Sequence, residues 1–180
     1  LLYSKLIRRM GKENAALYFR AQQAACHRYA ELCGDLDCDY TCADSYVYSM
    51  DDTEKIKQET AALKLLGADT AFCRETELPF PTAGAVCVKN QAHFHPLKFI
   101  RAIANNRPVY EHTKVLELMP GRATTHHGEI RCKKIIIATH FPMLNKHGGY
   151  FIKLYQHRSY VLALKNAPSF DGMYVDENEK

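Results

Sequence analysis

A short, continuously apolar run constrains the fold of this chain more than any other feature. It reads Ile135-Ile136-Ile137-Ala138 and follows two lysines. Such a run suits a strand that is buried on both faces, as in a parallel sheet covered by other elements. No apolar run in the sequence approaches the length of a membrane span. The run therefore predicts a sheet inside a folded core, and we expect no association with a membrane.

Three segments have the periodicity of helices. The first 34 residues carry apolar side chains at spacings of three and four, interrupted at Gly11. Asp51 followed by Glu54 is a capping-box pattern that predicts the start of a second helix. Pro96 suits the first turn of a third helix. The predicted apolar face of this third helix comprises Leu97, Ile100, Ile103 and Ala104.

The remaining segments read as short strands. Polar and apolar residues alternate over residues 37–50, which predicts a half-buried antiparallel hairpin turning at Ala43-Asp44. A second hairpin is predicted to join residues 150–154 to residues 159–164. Further strands are predicted at 71–74, 85–89, 109–111, 114–119, 123–127 and 130–139. Helices and strands mix without a regular alternation, so the predicted fold class is α+β with two interleaved lobes.

Charge and cysteine content exclude some classes of protein. The 24 basic and 20 acidic residues leave a net charge of +4, without any block of like charges. This is too weakly basic to indicate nucleic-acid binding. The seven cysteines are odd in number, and Lys5 and Arg8 interrupt the start, unlike a signal peptide. We therefore expect reduced thiols and a cytoplasmic location.

The sequence gives little support for hydrolysis, phosphate binding or metal binding. Neither a Gly-x-Ser-x-Gly elbow nor a Gly-Lys-Ser/Thr phosphate loop occurs. No Cys-x-x-Cys pair occurs either, so the cysteines give no support for zinc geometry. The histidines of His93-x-His95 and His126-His127 have no carboxylate or cysteine at ligand spacing, so we expect surface or capping roles. A Cys–His nucleophile pair stays open on sequence alone. The cysteines nearest one another in sequence are Cys26, Cys33, Cys38 and Cys42.

Two groups of residues carry a family resemblance. Thr113-x-Val115, the strands after it and Lys134-Ile135-Ile136-Ile137-Ala138-Thr139-His140 resemble flavoproteins with the glutathione-reductase type of FAD-binding fold. That family has glycine where this chain has His140. Three further stretches look like the D-amino acid oxidase-like group, in its bacterial branch often fused to a Rieske domain. They run over residues 77–86, 91–99 and 155–163.

The resemblance implies a division of the chain into lobes. Residues 1–36 would be a helical segment packing on the FAD lobe, and 93–148 a partial FAD-binding lobe built as strand, meander and strand. Residues 37–92 and 149–180 would be the two parts of an antiparallel-sheet substrate lobe. The family's Gly-x-Gly-x-x-Gly is missing from the nine glycines. We therefore expect an internal fragment that does not retain FAD by itself.

The resemblance also implies site residues. The backbone of Val115 would touch the adenine of FAD, and Ala138, Thr139 and His140 would lie beside the flavin. Arg158 and Tyr160 alternate with Ser159, so a strand would place both on one face, where Arg158 would pair with a substrate carboxylate. A solvent-facing Arg158 is the alternative. No catalytic residue is identified.

The function implied by the resemblance is FAD-dependent oxidation of a C–N bond in a small amine or amino acid. Hydride would pass to the flavin, and electrons would leave to oxygen or to a Rieske 2Fe-2S cluster elsewhere in the protein. The alternative is a non-catalytic α+β module that binds a protein through an exposed sheet edge. Strand edges left bare by a fragment would also favour self-association.

Overall fold

A computed structural model describes residues 2–105, 107–139, 143 and 149–178. The chain forms two compact units, each considered by itself. The first unit comprises Leu1–Arg107 with Pro168–Lys180, and the second comprises Pro108–Ala167. In chain order the elements are α1 (Tyr3–Cys33), β1 (Thr41–Ser49), α2 (Thr53–Leu65), β2 (Thr70–Cys73), β3 (Gly84–His93), α3 (Pro96–Ala104), β4 (Val115–Met119), β5 (Arg122–Thr125), β6 (Gly128–Arg131), α4 (Tyr150–Lys153) and β7 (Met173–Asp176).

The predicted N-terminal helix is confirmed as α1, including its interruption. Gly11 has φ 81° and ψ 160°, a non-helical conformation that divides α1 into two helical stretches. Glycine reaches this positive φ without the steric cost that a Cβ would add. Few side chains of α1 are buried. The buried ones are Leu6, Ala15, Phe19 and Cys33.

A four-stranded sheet forms the centre of the first unit, in the order β2-β3-β1-β7. β1 runs antiparallel to β3, from Thr41 opposite His93 to Ser49 opposite Gly84. The predicted hairpin at residues 37–50 is therefore wrong, because residues 41–49 form one strand. An irregularity in register lies between Ala43 and Ser45, where the turn was predicted. The long ladder to β3 satisfies the backbone of β1 without a local turn.

The second helix, α2, is confirmed with its cap shifted by one residue. The Asp52 carboxylate, rather than that of Asp51, accepts a hydrogen bond from the backbone N–H of Lys55 at 2.8 Å. The helix stops before Gly67, which has φ 88°. The N–H of Ala68 bonds to the carbonyl of Leu63 at 3.0 Å, which is a Schellman closure. This helix covers one sheet face in a core of Phe19, Ile56, Leu63 and Val86.

The third helix is also confirmed, but its apolar face is not buried as predicted. Leu97 is 62% exposed and Ile100 is 54% exposed. The buried side chain is Phe99, which packs with Cys33 and Cys38 in a second small core. An apolar stripe on a helix is buried only where another element lies against it, and among the described residues of this unit none does.

The second unit contains a three-stranded antiparallel meander in the order β4-β5-β6. The strands predicted at 114–119 and 123–127 are confirmed, whereas 109–111 is not a strand. The strand predicted at 130–139 is wrong beyond Arg131, and Ile136 is 89% exposed. A strand buried on both faces needs neighbouring strands and covering helices. In the described part of this unit, Ile136 has neither a neighbouring strand nor a covering helix.

The predicted C-terminal hairpin is wrong. Residues 150–153 form the short helix α4, and residues 159–164 have no regular secondary structure. Val161 is 89% exposed and Leu162 is 88% exposed. Alternation indicates a strand only when a partner satisfies the backbone, and the described residues supply none here.

The predicted α+β class is confirmed by a structure with two sheets and four helices in the part of the chain that is described. Strand β7 returns from near the end of the sequence to pair parallel with β1, so it shares one sheet with β1, β2 and β3. Both α1 and α3 belong to that same unit. The assignment of the units to FAD and substrate lobes stays a prediction. None of the described helices is long and apolar enough to cross a membrane.

Candidate functional site

Val115, predicted to meet the adenine, opens the edge strand of the meander. It is half-buried and lies opposite Thr125 on β5. The register of β4 against β5 is irregular between Val115 and Glu117. Thr125 is buried, and its hydroxyl donates to the carbonyl of Gly128 at 2.9 Å. The meander therefore gives Val115 a fixed backbone position at the edge of a small sheet.

Ala138 and Thr139, predicted to lie beside the flavin, follow the meander in a segment without regular structure. Both are exposed, and His140 lies outside the described residues. The segment begins where the N–H of Cys132 donates to the carbonyl of Gly121 at 2.9 Å. An open cleft of about 420 Å³ lies between this segment and the β4–β5 turn. Lys133 and Lys134 line it.

Arg158 and Tyr160, predicted to share a strand face, lie in an exposed segment without regular structure. Tyr160 is 91% exposed. Close to Arg158 in sequence, a hydrogen bond of 3.0 Å joins His157 Nε2 to the Tyr155 hydroxyl. Within the described ranges, no hydrogen bond or ion pair links Arg158 to Val115, Ala138 or Thr139, so the structure does not assemble these predicted residues into one site.

The sheet of the first unit carries an aromatic cluster that the sequence analysis missed. Tyr46 on β1 and Tyr174 on β7 stack with ring centroids 4.7 Å apart and planes 11° apart. Burial, and then a hydrogen bond with Cys87, raise the pKa of Tyr46 to about 12. Alternating Tyr46 and Tyr48 were visible in the sequence, but their distant partner on β7 was not. At neutral pH Tyr46 is therefore a neutral phenol and not a base.

Glu77 ties this cluster to the loop before β7. Its Oε2 accepts from the backbone N–H groups of Asp171 at 3.1 Å and Gly172 at 3.3 Å, and from the Tyr174 hydroxyl at 3.3 Å. The carboxylate is thus occupied by groups of its own chain. It holds a loop in place and leaves little capacity for a ligand on that oxygen.

No metal centre is assembled in the part of the chain that the structure describes. No three His, Cys, Asp or Glu side chains there converge as ligands. All seven cysteines are free thiols. His93 and His95 do not form a ligand pair, because His95 instead caps α3, its Nδ1 accepting from the N–H of Lys98 at 3.4 Å.

FAD carries a pyrophosphate, which helix N-termini commonly bind through free backbone N–H groups. At the three long helices, side chains of the chain itself already bind some of these groups. Glu59 accepts from the N–H groups of Tyr3 and Ser4 at 2.7 and 2.8 Å at the start of α1. Asp52 caps α2 and His95 caps α3. At each of these helix starts, at least one N–H group that a pyrophosphate could use is thus already bonded within the chain.

Comparison with known proteins identifies the family. A family model described as DAO, FAD dependent oxidoreductase, matches residues 3–178. The chain therefore belongs to the DAO family of FAD-dependent oxidoreductases, and the resemblance seen in the sequence is confirmed.

One curated relative aligns with most of this chain. It is YhfW of Bacillus subtilis (strain 168), named as a Rieske 2Fe-2S iron-sulfur protein, and it is 30% identical over 189 residues. The alignment covers 97% of this chain but 37% of the relative. The chain thus spans little more than a third of that protein's length. No solved structure matches.

Proposed function

We propose that the full-length protein containing this chain oxidises a C–N bond of a small amine or amino acid, with FAD as cofactor. The observation that carries the proposal is the family match over residues 3–178, which includes both compact units. FAD supplies the acceptor for the hydride, and the protein supplies orientation and exclusion of water. The proposal names no catalytic residue.

The binding roles follow from the resemblance. Val115 contacts the adenine through its backbone, and Ala138, Thr139 and His140 lie beside the flavin. The fixed edge position of Val115 supports its role. The exposure of Ala138 and Thr139 is in keeping with a surface that another part of the protein covers when FAD is bound.

Arg158 is proposed to bind a substrate carboxylate, with Tyr160 beside it. A guanidinium presents two parallel N–H donors that match the two oxygens of a carboxylate. The exposure of both residues leaves the donors available to a ligand. This role applies to amino acids, since a simple amine has no carboxylate.

The residues of this chain alone are proposed not to retain FAD, because the N-termini of its long helices are capped by its own side chains. The naming of the Bacillus relative as a Rieske 2Fe-2S protein supports such a cluster elsewhere in the protein as the electron acceptor. We further propose a cytoplasmic location. Isolated residues 1–180 are proposed to self-associate through the exposed edges of their sheets.

Anaerobic reduction of the full-length protein tests the reaction class. Amines and amino acids should bleach the flavin absorption, whereas 2-hydroxy acids of matched carbon skeleton should not. Bleaching by the hydroxy acids alone would overturn C–N oxidation while leaving the flavoprotein assignment intact.

The matched variants Arg158→Lys and Arg131→Lys test the carboxylate contact. Arg131 is an exposed arginine in the same unit, on β6. Arg158→Lys should raise KM for an amino acid at least tenfold, because lysine lacks the two-pronged donor. The KM for an amine without a carboxylate should be unchanged, and Arg131→Lys should alter neither. Equal KM values in Arg158→Lys and wild type would exclude the proposed role.

A further inference from the structure

Two buried cysteines lie together at the end of α1. Cys33 is the last residue of the helix and is 3% exposed, and Cys38 is fully buried. Both pack with Phe99 of α3 in one small core. The function proposed above uses neither thiol.

The chain between the two cysteines folds back on itself. The N–H of Leu36 donates to the carbonyl of Cys33 at 3.0 Å, and the N–H of Cys38 donates to the carbonyl of Leu36, also at 3.0 Å. These two turns place both cysteine side chains in the small core that they share with Phe99. Burial, and then a hydrogen bond with Cys38, raise the pKa of Cys33.

The cysteines on either side in sequence are not part of this buried pair. Cys26 and Cys42 flank the pair in sequence and are exposed. No group of three metal-binding side chains exists among the residues that the structure describes. A metal needs more ligands than one thiol pair supplies, whereas a disulfide needs only two adjacent sulfurs.

We propose that Cys33 and Cys38 are a reversible redox pair that forms a disulfide with a peroxide as oxidant. One thiol loses its proton and attacks a peroxide oxygen of hydrogen peroxide, giving a sulfenic acid and water. The second thiol then attacks the sulfenic sulfur, forming the S–S bond and releasing a second water. The two thiols lose two electrons and two protons, and the peroxide is reduced to two waters. A small dithiol reverses the change.

The disulfide would act on the junction between β3 and α3. The carbonyl of Cys38 accepts from the N–H of His95 at 2.7 Å, and Lys98 pairs with Asp39 at 2.7 Å. Cys38 and the next residue, Asp39, are thereby connected to the start of α3. Closing the S–S bond would fix the end of α1 to this junction covalently, whereas the reduced thiols share a core there without a covalent bond.

The test is thiol mapping in the full-length protein. The folded protein is treated with a small molar excess of hydrogen peroxide, quenched, denatured and alkylated. Cleavage before Asp35, Asp37 and Asp39 separates Cys33, Cys38 and Cys42 onto different peptides. We expect a cross-linked pair of peptides carrying Cys33 and Cys38, with the loss of two hydrogens, which disappears after treatment with dithiothreitol.

Matched variants separate this pair from its exposed neighbours. Cys42→Ser should still form the cross-link, whereas Cys38→Ser should leave Cys33 alkylated or oxidised to a sulfenic acid. If Cys33 and Cys38 stay alkylated in wild type while Cys26 and Cys42 oxidise, the proposal is overturned. A Cys38–Cys42 cross-link in place of the expected one would overturn it as well. Neither result bears on FAD binding.

Discussion

At the scale of single residues, two buried carboxylates of the first unit bind groups of the chain itself. Glu59 is 2% exposed, and its two oxygens accept from Tyr3 and Ser4 at the start of α1. Glu177 is 6% exposed, accepts from the Ser49 hydroxyl at 2.8 Å and pairs with Lys55. Each carboxylate joins elements that are far apart in sequence.

Replacing Glu59 should therefore destabilise the protein substantially. Glu59→Ala leaves two backbone donors without a partner, and we expect the free energy of unfolding to fall by about 2–4 kcal/mol. Glu54→Ala on the same helix is the control, because Glu54 is exposed and its pair with Lys57 is on the surface, so the change should be much smaller. Chemical denaturation measures both. Equal effects would show that the contact with α1 contributes nothing.

The ion pair between Asp44 and Lys89 predicts a pH dependence. Its hydrogen bond from Lys89 Nζ, at 2.5 Å, lowers the pKa of Asp44 and raises the pKa of Lys89. The stability from Asp44 is present above its unfolded pKa of about 3.9 and is lost as pH falls through the lower folded value. The stability from Lys89 is present below about pH 10.4 and is lost as pH rises through its higher folded pKa.

The variant Asp44→Asn tests this window. Its stability should be lower than wild type at pH 7, and the difference should shrink as pH falls below about 4. Asp69→Asn removes the same charge nearby and serves as the control. Unfolding midpoints measured from pH 7 down to pH 2.5 decide the matter. A difference between Asp44→Asn and wild type that is constant across this range would contradict the account.

At the scale of elements, tight packing fixes where β7 joins the sheet. A Cβ on Gly172 would lie 2.5 Å from Cε2 of Tyr46, whose ring is held against Tyr174. Gly172→Ala should therefore lower the free energy of unfolding by about 1–3 kcal/mol.

The control for that change is Gly34→Ala. There the added Cβ meets only ordinary contacts, at 3.5 Å from the Glu31 carbonyl, and the backbone is helical. We expect it to be neutral or stabilising by up to about 1 kcal/mol. Thermal unfolding measures both variants. If Gly172→Ala is as stable as Gly34→Ala, the loop over Tyr46 is looser than described.

Elements set by local contacts were predictable from the sequence, and those set by distant partners were not. The three long helices follow from periodicity and caps, with an error of one residue between Asp51 and Asp52. The single strand at residues 41–49 was missed because β3, which pairs with it, begins only at Gly84. The apolar run at residues 135–138 predicted a buried strand, but burial requires neighbours that the run itself cannot reveal.

The candidate site was predictable to a smaller extent. Val115 lies on a predicted strand, whereas Arg158 and Tyr160 were placed on a strand that does not form. Periodicity finds an element from within its own sequence, but a binding site gathers residues from several elements. Only the family resemblance linked these positions, and their roles stay proposals.

At the scale of the whole molecule, both units carry large apolar side chains that are exposed. Leu97 and Ile100 on α3 are exposed in the first unit, and Ile136 and Leu162 are exposed in the second. Such surface is normally covered by a partner or by another part of the protein. Since the chain spans 37% of its Bacillus relative, we propose that the rest of a longer flavoprotein covers it.

The visible absorption spectrum of the full-length protein, purified without added cofactor, tests the central claim most directly. We predict flavin bands that bleach when an amine or amino acid substrate is added, and that are absent from isolated residues 1–180. A folded full-length protein that is colourless, and stays colourless after incubation with FAD, would contradict the account and favour the protein-binding module instead.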